Sequence, residues 1–347
     1  MKARTKKILN FALIFGTLLI VLLVGFNGQE MSGAVDALRS IGPGWIVFCL
    51  LAFGAYLGLD AVSLHYFLRR QGYRVRYSYI LFVSIMGLYY SNITPGATGG
   101  QPMQVYYLNK RKVPIGIGSS ALVVKFFCFH FMLAVVGTVL WIGYGPFIHQ
   151  QVGSSMWILI IGYTYNCVAV TAVMLMAVCR RPVWLLIRLF IRLGTRLRLC
   201  KTPEASLTKW EDVLENFHGS VMLILRRPKD LLMQLLFSGL QLLSLMTVIT
   251  LVYHAFHLTG ATYGQLTALS VMQYLSAAYT PLPGASGAQE GVFALYFAQI
   301  FPDGIRLMAL LLWRFFTYYL SLMIGAFCSV WYGFRAGGKD RLEQAKP

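Results

Sequence analysis

The sequence predicts an all-α integral membrane protein with six spanning helices plus two opposed re-entrant helix pairs in an inverted repeat. Three observations predict it. Hydrophobic residues make up 57% of the 347 residues and charged residues only 12%, a balance outside the range of soluble globular chains. Apolar runs recur along the chain at about 20 residues each, the length that crosses a hydrocarbon core of roughly 30 Å. The stretch Pro95-Gly96-Ala97-Thr98-Gly99-Gly100-Gln101-Pro102 has a near copy 188 positions later, Pro283-Gly284-Ala285-Ser286-Gly287-Ala288-Gln289-Glu290. Residues 1–347 thus read as a single membrane domain, with repeat halves at about 1–143 and 155–334 and a cytoplasmic interfacial helical insert at 180–229.

Residues 1–7 are basic and 8–26 apolar. The run is long for a secretory leader and no small-x-small cleavage site follows it, so it is the first spanning helix, with a cytoplasmic N-terminus. Residues 27–42 form an external loop, and 43–68 cross back to Arg69, Arg70, Arg74 and Arg76, a cytoplasmic marker. Residues 77–92 enter the membrane again, yet the basic triplet Lys110-Arg111-Lys112 follows the glycine break within a few residues. A full crossing would strand that triplet outside; a re-entrant loop keeps it in the cytoplasm. Irregular backbone at that depth must be buried by protein or line a polar cavity, because lipid cannot satisfy its N–H and C=O groups.

Residues 115–142 cross outward, 143–154 form a short external loop, and 155–178 return. Over 182–199, Arg188, Arg192 and Arg196 recur every four residues beside a leucine row, which suits a helix lying on anionic lipid at the inner interface. Thr202-Pro203-Glu204 is a helix start, and Leu207, Trp210, Leu214 and Phe217 give the helix that follows one apolar packing face. Residues 231–254 cross outward; 264–280 enter from outside, meet the second break and return over 291–301; residues 305–334 cross inward to a basic C-terminus. Of the 30 Lys and Arg, 26 fall on the cytoplasmic side of this arrangement, Arg39 and Arg306 outside, and Lys125 and Arg314 within the membrane. That asymmetry fixes the orientation, N- and C-termini cytoplasmic.

The formal charge of +18 is accounted for by these topology signals, so no nucleic-acid partner is expected. Six cysteines without C-x-x-C spacing read as small buried hydrophobes, and six histidines without ligand spacing imply no metal; no cofactor is expected.

The 188-residue offset also carries Pro114 onto Pro302 and residues 43–68 onto 231–256, helices assigned opposite directions. Three crossings per half invert the second half, as in transporters whose substrate site lies at the midplane where broken helices meet. The helix after the first break starts near Pro102 with bare N–H groups, a phosphate-binding geometry, whereas the second starts with Glu290 at its positive end. Lys125 and Arg314 lie about 15 Å into their helices, at mid-membrane depth. Ionisable groups there face a polar interior or a partner. The substrate-binding candidates are Thr94, Gly96, Thr98, Gly99, Gly100, Gln101, Lys125, Pro283, Gly284, Ser286, Gly287, Gln289, Glu290 and Arg314; a Glu290–Arg314 bridge that only fastens the halves is the structural alternative. Asp60, deep in its helix, is a lesser candidate that equally suits helix packing.

The segments from Thr94 to Pro102 and from Pro281 to Glu290, with Trp313-Arg314-x-x-x-Tyr318-Tyr319, resemble the flippase-like family, also known as the lysylphosphatidylglycerol synthase transmembrane domain family, the membrane half of the bacterial multiple peptide resistance factor. The resemblance covers nearly the whole chain. It implies a multi-pass protein of the bacterial cytoplasmic membrane that moves phospholipid, anionic or aminoacylated like lysyl-phosphatidylglycerol, between leaflets, with a bearing on antimicrobial peptide resistance. No acyltransferase-like synthase domain follows the last helix before Pro347, so the expectation is transport without catalysis, alongside a separate synthase partner; a homo-oligomer is compatible. The rivals are a phosphatidylglycerol lysyltransferase or lipid-linked sugar transferase, and a lipid-binding assembly protein that transports nothing. No G-x-x-x-x-G-K-[ST] sequence occurs to couple ATP directly.

Overall fold

A computed structural model describes residues 41–179, 181, 183–185, 203–277 and 279–344. The expected first spanning helix at 8–26, nearly all of the loop at 27–42, Arg188, Arg192, Arg196 and the Thr202 cap lie outside the described residues. Every regular element among the described residues is helical: α1 (Pro43–Arg70), α2 (Tyr77–Ile93), α3 (Gly100–Asn109), α4 (Ile115–Val152), α5 (Met156–Val178), α6 (Pro203–Leu225), α7 (Pro228–Ala255), α8 (Tyr263–Ala277), α9 (Ala288–Tyr296), α10 (Asp303–Arg314) and α11 (Leu320–Gln344). Proline opens α1 and α7, where its missing N–H costs nothing and its fixed φ suits the first turn. Arg69 and Arg70 close α1 at the negative end of its dipole, and Gly72 turns the chain at φ 87.

Four stretches are long and apolar enough to cross a membrane: Pro43–Arg70, Ile115–Val178, Pro228–Ala255 and Asp303–Tyr332. The second holds two helices. It reverses at Gly153 (φ 53), and α4 and α5 lie antiparallel, joined by Thr138 Oγ1 to Tyr163 Oη at 2.6 Å and His130 Nδ1 to Asn166 Oδ1 at 2.7 Å. Expected as a loop, residues 143–154 are largely helical instead. Pro146 cannot donate to the carbonyl four residues back, and the helix bends at Tyr144 (φ −123, ψ 21). Helix resumes because it buries Ile148 and Val152 in the apolar cluster that holds Val252 and Leu266. The last crossing also departs from a plain helix, since a π-helical turn at Phe315–Tyr319 separates α10 from α11.

On α5 the buried residues Leu159, Gly162, Asn166 and Val170 form one stripe, while Trp157, Ile160, Ile161 and Val168 are exposed. A helix that is apolar on its exposed face as well as its packed one faces lipid. The expected packing face of α6 is realised in part: Leu214 is buried and Phe217 half-buried against α4, but Trp210 is exposed. Among the described cysteines, Cys49 and Cys128 are buried as expected, whereas Cys179 is exposed.

Helices α1 and α7 pack antiparallel through polar contacts. Ser63 Oγ donates to Gln234 Oε1 at 2.5 Å and Tyr66 Oη to Asp230 Oδ1 at 2.6 Å; Arg70 Nη2 lies 2.6 Å from Asp230, whose side chain is fully buried. Two further antiparallel pairs flank this seam. Gly325 of α11 sits against the Tyr89 ring of α2, with Tyr332 stacked on Phe82 at 5.0 Å. Gly137 of α4 sits against Leu275 of α8, with Tyr144 beside Gly264. The offset that relates the two breaks relates these contacts too: Gly137 falls on Gly325 and Tyr144 on Tyr332.

Candidate functional site

Each break sits between two short helices, and both begin with the same backbone. Gly96 and Ala97 have φ 59 and 55; Gly284 and Ala285 have φ 59 and 50. The left-handed region is open to glycine and costs an alanine, so the repetition of Pro-Gly-Ala in sequence is a repetition of a strained turn in space. The tips touch: Gly96 N–H donates to Pro281 O at 2.9 Å.

Beyond these three residues the tips diverge. At the first, Thr94 Oγ1 donates to Tyr90 O at 2.6 Å and accepts the Gly99 N–H at 2.8 Å, and Thr98 and Gly99 are right-handed. At the second, Leu282 stands where Thr94 would fall, Ser286 is extended, and Gly287 turns at φ 87 so that Glu290 Oε2 accepts its N–H at 2.7 Å. A threonine caps one short helix; a carboxylate at the positive end of the dipole caps the other.

A cavity of about 650 Å³ lies between the tips and the helices behind them. Its wall is rich in amides, including Gln101, Gln104, Gln241, Gln273 and Gln289, and in aromatic rings. Two ion pairs stand at it. Lys125 Nζ lies 2.9 Å from Asp60 Oδ2, and Gln241 Nε2 donates to Asp60 Oδ1 at 3.2 Å. Arg314 Nε donates to Glu290 Oε1 at 2.6 Å and Nη2 to Gly284 O at 3.3 Å, while its guanidinium lies over the Tyr318 ring at 4.8 Å. Tyr318 packs directly on Gly284 and donates to Asn92 O at 3.4 Å, and Asn92 Nδ2 donates to Ser321 Oγ at 2.7 Å. The π turn thereby fastens the second tip to the first helix pair; single π turns of this kind recur at functional sites.

Of the fourteen sequence candidates, Gly96, Gln101, Lys125, Gly284, Gln289 and Arg314 line the cavity. Thr94, Gly99, Gly100, Pro283, Ser286 and Glu290 are not part of the lining, and neither are the exposed Gly287 and Thr98, the latter with its hydroxyl donating to Pro95 O at 3.0 Å. Lys125 is thus placed in the cavity but occupied by Asp60, and Arg314 by Glu290. Gln104, Gln241, Gln273 and Asn166 line the same space and were missed by sequence reasoning. A signal was available for Gln241, Gln273 and Asn166, polar residues inside largely apolar helical runs, and for Gln104, which lies three positions after Gln101 on the short helix behind the first break.

A family model described as "Lysylphosphatidylglycerol synthase TM region" matches residues 8–325. No curated protein matches the chain.

Proposed function

The chain belongs to the lysylphosphatidylglycerol synthase TM family, and from that premise we propose that it moves a phospholipid, anionic or aminoacylated, between the leaflets of a bacterial cytoplasmic membrane. One observation carries the reading: a 650 Å³ cavity holds two cations of membrane-spanning helices, Lys125 and Arg314, against amides and both broken-helix tips. Intramembrane charges facing a polar space mark substrate or ion pathways, and broken helices belong where they line such a space. The volume falls in the range of small-molecule sites, roughly 300–1,000 Å³, and suits a phospholipid head group whose acyl chains stay in the bilayer.

The proposed topology has six crossings: α1, α4, α5, α7 and the helix from α10 to α11, together with the one the sequence predicts at residues 8–26, which lie outside the described residues. The pairs α2/α3 and α8/α9 re-enter from opposite faces. Support for the inverted repeat comes from the matched turns at Gly96 and Gly284 and from the matched glycine contacts at Gly137 and Gly325. Both termini lie in the cytoplasm in this arrangement. In this reading the chain carries a transport step.

The test is reconstitution with a fluorescent phospholipid and an impermeant quencher. Exchange between leaflets faster than in empty vesicles is expected for phosphatidylglycerol or its lysyl ester; exchange no faster than in empty vesicles for both lipids would sink the reading.

A further inference from the structure

The cavity is electrically closed as it stands. Lys125 is neutralised by Asp60 and Arg314 by Glu290, so an anionic head group brought between them adds one uncompensated negative charge to a space lined by protein. Such a charge is costly unless it is paired. The two ion pairs differ in how they could make room for it. Glu290 is held at both oxygens by charge-assisted or backbone donors, Arg314 Nε at 2.6 Å and Gly287 N–H at 2.7 Å. Asp60 is held by one lysine and, on its other oxygen, by the neutral amide of Gln241 at 3.2 Å. Its side chain and that of Lys125 retain 16% and 13% exposure, against 10% and 5% for Glu290 and Arg314.

We propose that Asp60 is a proton-binding site coupled to the lipid: a proton added to its carboxylate releases Lys125, whose ammonium then pairs with the lipid phosphate. The inference rests on the transport reading above. The exchange balances, since one proton and one singly charged lipid enter together and the cavity stays neutral; no covalent bond other than O–H on Asp60 forms or breaks. Around the cavity, α4 faces Asp60 with Lys125 and, one turn further on, His130, which is bound to Asn166. Helix α7 offers neutral Gln241, α2 offers Ser84 and Ser91, α8 offers Tyr274, the π turn offers Tyr318, and α1 itself carries Tyr56. Among these described groups Asp60 is the carboxylate, so it is the one that loses a negative charge on taking up a proton.

The experiment uses the whole chain in vesicles containing fluorescent phosphatidylglycerol, with the membrane potential clamped and a transmembrane pH difference imposed. One-to-one coupling makes a difference of about one pH unit concentrate the lipid about tenfold in the leaflet facing the less acidic side. In Asp60→Asn the imposed pH difference should no longer concentrate the lipid. A wild type that exchanges lipid and settles at a ratio near one overturns the coupling and leaves the transport reading standing, whereas no exchange at all removes both. A gradient response that persists in Asp60→Asn overturns the assignment to Asp60. Should that variant not fold, a lumenal pH dye in wild-type vesicles decides: an imposed lipid asymmetry should move protons with the lipid, and no pH change overturns the proposal.

Discussion

Glu290 and Arg314, 24 positions apart, form a pair with little exposure at either side chain, and the physics of such pairs sets what their loss should do. Removing one partner strands the other charge, which costs about 3–5 kcal/mol, while replacing both with apolar residues of similar size is often near neutral. Glu290→Gln or Arg314→Met alone should therefore lower the melting temperature in detergent more than the double variant Glu290→Met/Arg314→Met does. The Asp60–Lys125 side chains retain only 16% and 13% exposure, so Asp60→Asn strands the Lys125 charge in the same way and should also lower the melting temperature. The strained turns make a second prediction of opposite signs. Ala97→Gly relieves a left-handed alanine at φ 55 and should stabilise by about 1 kcal/mol. Gly284→Ala instead drives a methyl into the Tyr318 ring and should destabilise, both read as shifts in thermal unfolding.

At the scale of elements, the tips were legible because proline and glycine cannot continue a membrane helix, and the repetition of Pro-Gly-Ala announced a repeated turn. The Glu290–Arg314 pair was legible for a different reason: Glu290 opens the helix after the second break and Arg314 lies at mid-membrane depth in the helix that follows, two charges of opposite sign where each needs a partner. The Lys125–Asp60 pair was not, because 65 positions and two other helices separate them and an apolar run shows which residue is charged without showing which way it turns. Nor does hydropathy reveal the helix beyond Tyr144 or the π turn, since both depend on tertiary burial and not on local composition. The link between the π turn and the first helix pair yields a third prediction. Asn92→Cys with Ser321→Cys, whose side chains are in hydrogen-bond contact, should cross-link on oxidation and stop lipid exchange, with activity restored by reduction.

For the whole molecule, the proposed opposed entry of the two tips predicts which surfaces an impermeant reagent reaches. In a background freed of native cysteines, Arg111→Cys should react from the cytoplasmic side and Asp303→Cys from the external side; reaction of both from one side contradicts the inverted arrangement. The glycine contacts at Gly137 and Gly325 bear on how such a body could move. Interlocked side chains resist sliding because each ridge sits in a groove, but a helix face reduced to hydrogen opposite a ring or a leucine methyl has few ridges to catch. The hydrogen-bonded seam of α1 and α7 is the opposite kind of surface, pinned by Ser63, Gln234, Arg70 and Asp230. On the proposed transport function the molecule carries a fixed axle with a smooth bearing on either side, and leucine at either glycine should slow lipid exchange in the quencher assay while leaving the axle intact.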